Sequence, residues 1–99
     1  MNVKVQAIEF TADQKLIDFV EERVAKLEKY FDRITNVNVY LKLDGKSSTI
    51  KDKVVEVKVN VPGSQLFAKE ESKKFEEAMD MTVDSLKRQL KRHKEKQRG

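Results

Sequence analysis

Asn36-Val37-Asn38-Val39-Tyr40-Leu41-Lys42-Leu43 alternates apolar and polar side chains without a break. A period of two puts Val37, Val39, Leu41 and Leu43 on one side of an extended chain and Asn36, Asn38, Tyr40 and Lys42 on the other, so the stretch reads as a strand with one dry and one wet face. Downstream, Val55, Val57, Val59 and Val61 repeat the pattern with β-branched side chains suited to a pleated surface. Asp44 to Asp52, polar and containing Gly45, reads as the hairpin loop between the two, and Pro62-Gly63-Ser64 as a turn into a short fourth strand around Gln65 to Lys69. Upstream, Asn2 to Ile8 also alternates, with Val3, Val5 and Ala7 on one side, and forms the first strand.

Two stretches carry helical rather than strand periodicity. Leu16, Val20, Val24, Leu27 and Phe31 recur every three or four residues, which predicts a helix running to about Phe31. Thr11 with Gln14 three residues on has the spacing of a capping box at its start. From about Ser72 to the mid-nineties, Phe75, Met79, Val83, Leu86 and Leu90 mark a second long helix that no proline interrupts. The order β-α-β-β-β-α is that of an α+β fold: a four-stranded sheet with two long helices packed on one face.

The length of 99 residues fits one domain spanning 1–99 with a modest core, and makes a deep catalytic cavity unexpected. No apolar run approaches a membrane span and Met1-Asn2-Val3-Lys4-Val5 is not a signal-peptide core, so a cytoplasmic location without membrane contact is expected. With no cysteine there is no thiolate nucleophile or disulfide framework, and glycines at 45, 63 and 99 alone build no phosphate-cradling loop. His93 has no carboxylate at dyad spacing and is read as a helix-end or RNA-facing group. Glu76, Glu77, Asp80 and Asp84 read as solubilising charge rather than acid-base or metal groups. Met79 and Met81 read as core filler. The reading is a non-enzyme without cofactor, metal or small-molecule substrate, and a monomer when free.

Charge is distributed unevenly. The segment Lys87 to Arg98 carries seven basic residues against Glu95, forming a basic helical tail at about 91–99, while the whole chain is only +4. The helix dipole attracts cations to the last turn, which is the bland explanation. This run is about three turns long, however, and places Lys87, Lys91, Lys94 and Arg98 in one row. On the first helix, at 100° per residue, Lys15, Arg23, Lys26 and Arg33 fall along one flank, interleaved with Phe19 and Tyr30. Glu21, Glu28 and Asp32 fall on the other, and Lys29 lies further round. An ordinary solvated helix mixes its signs through i,i+4 pairs. Two basic flanks on one face of a sheet could join into a surface for the phosphates of a structured RNA. The open sheet face shows only Tyr40 as an expected exposed aromatic, which disfavours reading of single strands there.

The run Lys26-Leu27-Glu28-Lys29-Tyr30-Phe31-Asp32-Arg33-Ile34, followed by Val37, Val39 and Leu41-Lys42, and the run Leu86-Lys87-Arg88-Gln89-Leu90-Lys91-Arg92-His93-Lys94-Glu95-Lys96 resemble the ribosome hibernation promoting factor family, also called the ribosome-associated inhibitor or sigma-54 modulation family. The resemblance covers nearly the whole chain. It implies a fold similar to double-stranded-RNA-binding domains, seated on the small ribosomal subunit in the channel for messenger and transfer RNA, where it blocks translation during stress or stationary phase. Carried over residue by residue, it implies rRNA contacts from Arg23, Lys26, Lys29 and Arg33 and from Lys87, Arg88, Lys91, Arg92 and Lys94. The chain resembles the short form, without the domain through which long forms pair ribosomes. Ser72-Lys73-Lys74-Phe75 departs from the acidic, tyrosine-containing entry to the second helix common in the family. Two other readings stay open: a protein-binding regulator of transcription, and a generic structured-RNA binder.

Overall fold

The computed structural model describes residues 1–44 and 52–98. The elements are β1 (Asn2–Ala7), α1 (Gln14–Ala25), a 3-10 segment (Lys26–Lys29), β2 (Asn36–Asp44), β3 (Asp52–Val61), β4 (Ser64–Ser72) and α2 (Phe75–Arg98). The sheet order is β1-β2-β3-β4. β1 runs parallel to β2, because a helix returns the chain between them, and the other two pairs are antiparallel. Of the hairpin loop expected over Asp44 to Asp52, the two end residues are paired strand residues, and 45–51 lie outside the described residues. Both helices cover one sheet face, as the periodicity predicts.

The dry face of the strands forms the core. Val37, Val39, Leu41, Val55, Val57 and Val59 are fully buried against Val20, Val24 and Leu27 of the first helical stretch and Ala78, Met79, Leu86 and Leu90 of α2. Each such aliphatic side chain contributes about 1.5–3 kcal/mol by leaving water. Thr82 is the buried polar residue of this core among the described residues, and its hydroxyl is satisfied by donating to the Ala78 carbonyl at 2.7 Å.

Three expectations about the elements change. The N-cap of α1 is Asp13, not Thr11: its carboxylate accepts from the Leu16 N–H at 2.8 Å, and Gln14 donates instead to Asp18 at 2.8 Å. Asp caps at least as well as Thr, and its charge also complements the helix dipole. The α-helix ends at Ala25 rather than near Phe31, and the chain continues as a 3-10 segment in which Tyr30 N–H donates to Leu27 carbonyl at 3.0 Å. The tighter winding still buries Leu27 and Phe31. Finally, β4 is nine residues long, because it pairs with β3 over its full length, from Val61↔Ser64 to Lys53↔Ser72. Its mixed side chains, Glu70 and Glu71 among them, hide that extent from a pattern based on apolar alternation. The turn into it needs Gly63, whose φ of +76° suits a residue without Cβ after Pro62.

Candidate nucleic-acid interface

The candidate residues come from two elements meeting at one ring. Tyr30, half-buried just past the 3-10 segment, has the Lys87 ammonium 5.0 Å and the Lys91 ammonium 5.8 Å from its ring centroid. Two lysines held over one aromatic face are attracted by its quadrupole. This places the α2 row beside the end of the first helical stretch. Next to it, Lys29, Arg33 and Lys94 line an open cavity of about 430 Å³ together with Tyr30, Phe31, Gln97 and the carboxylates Glu28 and Asp32. Cations from three separate stretches thus share one concave surface.

The 3-10 winding contributes to this arrangement. At three residues per turn, positions i and i+3 eclipse, so Lys26 and Lys29 stand above one another, both exposed. A wheel drawn at 100° per residue leaves Lys29 about 60° round from Lys26, and the tighter winding after Ala25 closes that angle. Arg33 likewise sits in the turn after the segment and not on a helix. It reaches the cavity because the chain turns there.

A family model described as "Sigma 54 modulation protein / S30EA ribosomal protein" matches residues 3–98. The chain belongs to this family. Among its relatives, the ribosome hibernation promoting factor of Pseudomonas putida is 40% identical over 99 residues, covering 100% of this chain and 90% of that one. The factor of the same name from Escherichia coli is 35% identical over 96 residues, covering 97% and 94%. The N-terminal domain of Thermus thermophilus Protein Y superposes with a TM-score of 0.81 at 31% identity, covering 94% of this chain and 99% of that one. A ribosomal subunit interface protein from Coxiella burnetii has the same fold, with a TM-score of 0.82 at 21% identity and coverage of 95% and 98%.

Within this family member the remaining candidates do not all join the concave surface. Arg88 and Arg92 are exposed on α2. Arg92 lines a depression with Ser64, Leu66, Gln89, His93 and Lys96 on the β4 side, away from Tyr30. Arg88, Lys91 and Arg92 together line a further open depression on α2. Arg23 is tied down: its Nε lies 2.9 Å from Asp80 of α2, and its guanidinium covers the Phe19 ring at 4.5 Å. With side chains 30% and 54% exposed, that ion pair contributes under about 1 kcal/mol, and it leaves the outer edge of the guanidinium to solvent.

One feature escaped the sequence reading, and a second was left between two roles. Tyr30 was legible only as a residue interleaved with the basic flank, yet it is the joint on which α2's lysines rest. His93 packs edge-on to Phe31 at 5.2 Å, with its Nε2 buried, so it is a helix-end packing group rather than an RNA-facing one. Core contact therefore extends one turn beyond Leu90 before the tail becomes fully exposed. Carboxylates collect at the far end of the sheet. Lys73 Nζ donates to Asp52 at 2.6 Å and holds its carboxyl below the usual carboxylate range, with a hydrogen bond shared with Glu71 adding to the effect. Glu71 is pushed up, mainly by that hydrogen bond to Asp52.

Proposed function

We propose that the chain is a ribosome hibernation factor that binds small-subunit rRNA in the channel for messenger and transfer RNA and blocks translation by occupying it. The observation that carries this reading is the junction at Tyr30, where Lys87 and Lys91 of α2 come within 6 Å of the ring beside the cavity lined by Lys29, Arg33 and Lys94. A rigid concave array of cations fits a folded polyanion whose phosphates are fixed in space. The names of the relatives, ribosome hibernation promoting factors, point to the same partner.

In this reading Lys26, Lys29, Arg33, Lys87, Lys91 and Lys94 hold phosphates on the concave side, Arg88 and Arg92 hold them on the adjoining exposed surface of α2, and Arg23 sets the spacing of the helices while offering its free edge. The basic tail from about residue 91 is the part of the domain that reaches furthest into the RNA. Binding and exclusion suffice, with no chemical step, and the ribosome fixes the location as cytoplasmic.

Cosedimentation with purified small subunits across a salt series tests the proposal. With roughly six phosphate contacts, log affinity falls against log salt with a slope of about −4 to −5, and transfer RNA competes for the same site. A flat salt response, or binding indifferent to transfer RNA, overturns it.

A further inference from the structure

The sheet face turned away from the helices carries a second set of cations and rings. Pairing registers place Lys4, Asn38, Lys58 and Phe67 in one row across the four strands, and Gln6, Tyr40, Glu56 and Lys69 in the next. Alternation puts all of them opposite the buried Val37, Val39, Val57, Val59 and Ala68. Phe67 is 45% exposed, a large ring left in water at the end of a row. The Lys58 ammonium stands 5.7 Å from the centre of the Tyr40 ring, and Phe67 is its neighbour on the other side. The one carboxylate in these two rows, Glu56, is neutralised by Lys42 at 2.6 Å, so Lys4, Lys58 and Lys69 leave the area positive. Amides flank it at Asn36, Asn60 and Gln65, the last donating to Asn60 at 2.8 Å. Acidic groups lie at the opposite end of the sheet, at Asp44, Asp52 and Glu71.

We propose that this face binds an unpaired segment of a polynucleotide, with bases stacked on Phe67 and Tyr40 and the intervening phosphate on Lys58. Two strand spacings and a two-residue offset set the ring positions about 12 Å apart, with the lysine between them. The exposed Phe67 ring and the half-buried Tyr40 ring can each accept any base by its flat face, while the amides are suited to base edges. A paired duplex hides those flat faces, and the core of a protein-protein interface is depleted in lysine, so the mix of rings, free ammonium groups and amides favours a single strand. The site lies on the reverse of the sheet from the Tyr30 junction and stands independently of the function proposed there, so structured and unpaired nucleic acid could be held together.

The test titrates the isotope-labelled full chain with an oligouridylate of about eight nucleotides, and in a parallel arm with an oligodeoxythymidylate of equal length. Amide resonances of β2, β3 and β4 around Tyr40, Lys58 and Phe67 should move, and Phe67→Ala should weaken affinity roughly tenfold. Lys58→Glu, at a half-buried position on the same face, supplies a second variant with the same expected direction. A response at this face in either arm supports the site, and a difference between the arms tells RNA from DNA. No binding in both arms, or shifts confined to α2 and residues 29–33 with Phe67→Ala unchanged, overturns it. Cosedimentation of the same variants with small subunits reports on the Tyr30 junction separately, so the two readings fail independently.

Discussion

Helix α2 contains two stretches that share one backbone and little else. From Phe75 to Leu86 it presents Phe75, Ala78, Met79, Thr82 and Leu86 to the core, its exposed side chains include Glu76, Glu77, Asp80 and Asp84, and Asp80 pairs with Arg23. Among the described residues from Lys87 to Gln97, Leu90 is buried, Lys87, Gln89 and His93 are half-buried, and the remaining positions are mostly cations in solvent. The first stretch is held by the fold, and the second is held out by it. The difference teaches that the charged surface needs no stabilising role of its own, since the buried half anchors a rod about 36 Å long from one end. Dipole complementarity favours both ends of this gradient, yet Lys87 and Lys91 turn toward Tyr30 rather than toward the terminal carbonyls.

If the two stretches divide stability from binding in this way, mutations in each should separate the two properties. The largest effect belongs to Leu86→Ala, which empties a fully buried position and should lower unfolding free energy by about 2–5 kcal/mol in denaturant melts. Lys91→Glu combined with Arg92→Glu should leave that melt within about 0.5 kcal/mol and weaken small-subunit binding roughly 100-fold near 0.1 M salt, with a shallower salt slope. Unchanged cosedimentation would remove both residues from the interface. Asp80→Asn tests the boundary: releasing Arg23 should cost under about 1 kcal/mol of stability, and a large loss of subunit binding would show that helix spacing matters more than cation number.

The smallest effect concerns pH. Glu71, whose pKa is raised in the folded state, adds stability at pH values below its unfolded pKa that is lost as pH rises through the folded one. Asp52, whose pKa is lowered, adds stability above its unfolded pKa that is lost as pH falls through the folded one. The two therefore oppose each other across the carboxylate range. Glu71→Gln keeps a neutral partner for Asp52 at every pH, so melting temperature should fall less between mildly acidic and neutral pH than in the parent, as thermal melts at several pH values would read.

Much of this was legible because periodicity survives in the core-facing residues. The valines of β2 and β3 and the stripe ending at Leu90 place the sheet and helices on one another with no three-dimensional information. The cap slipped from Thr11 to Asp13 because several short polar side chains precede the helix and only backbone geometry chooses among them. The 3-10 break was invisible, since Leu27 and Phe31 stay buried under either winding. For the same reason the grouping of Arg33 with Lys94 could not be drawn on a wheel. Phe67 escaped notice because β4 is amphipathic only weakly, and its register against Lys58 is set by the Pro62-Gly63 turn.

By itself the amino-acid order determined the element sequence, the identity of the core and the concentration of cations near the C-terminus, because all three are local properties of spacing and composition. Tertiary structure alone decided which cations share a surface: Lys87 and Lys91 over Tyr30, Lys94 with Lys29 and Arg33, Arg92 turned toward β4, and Arg23 held by Asp80. Those groupings depend on where two helices cross and how one of them ends, and contacts between residues some sixty positions apart leave no trace in the period of either segment.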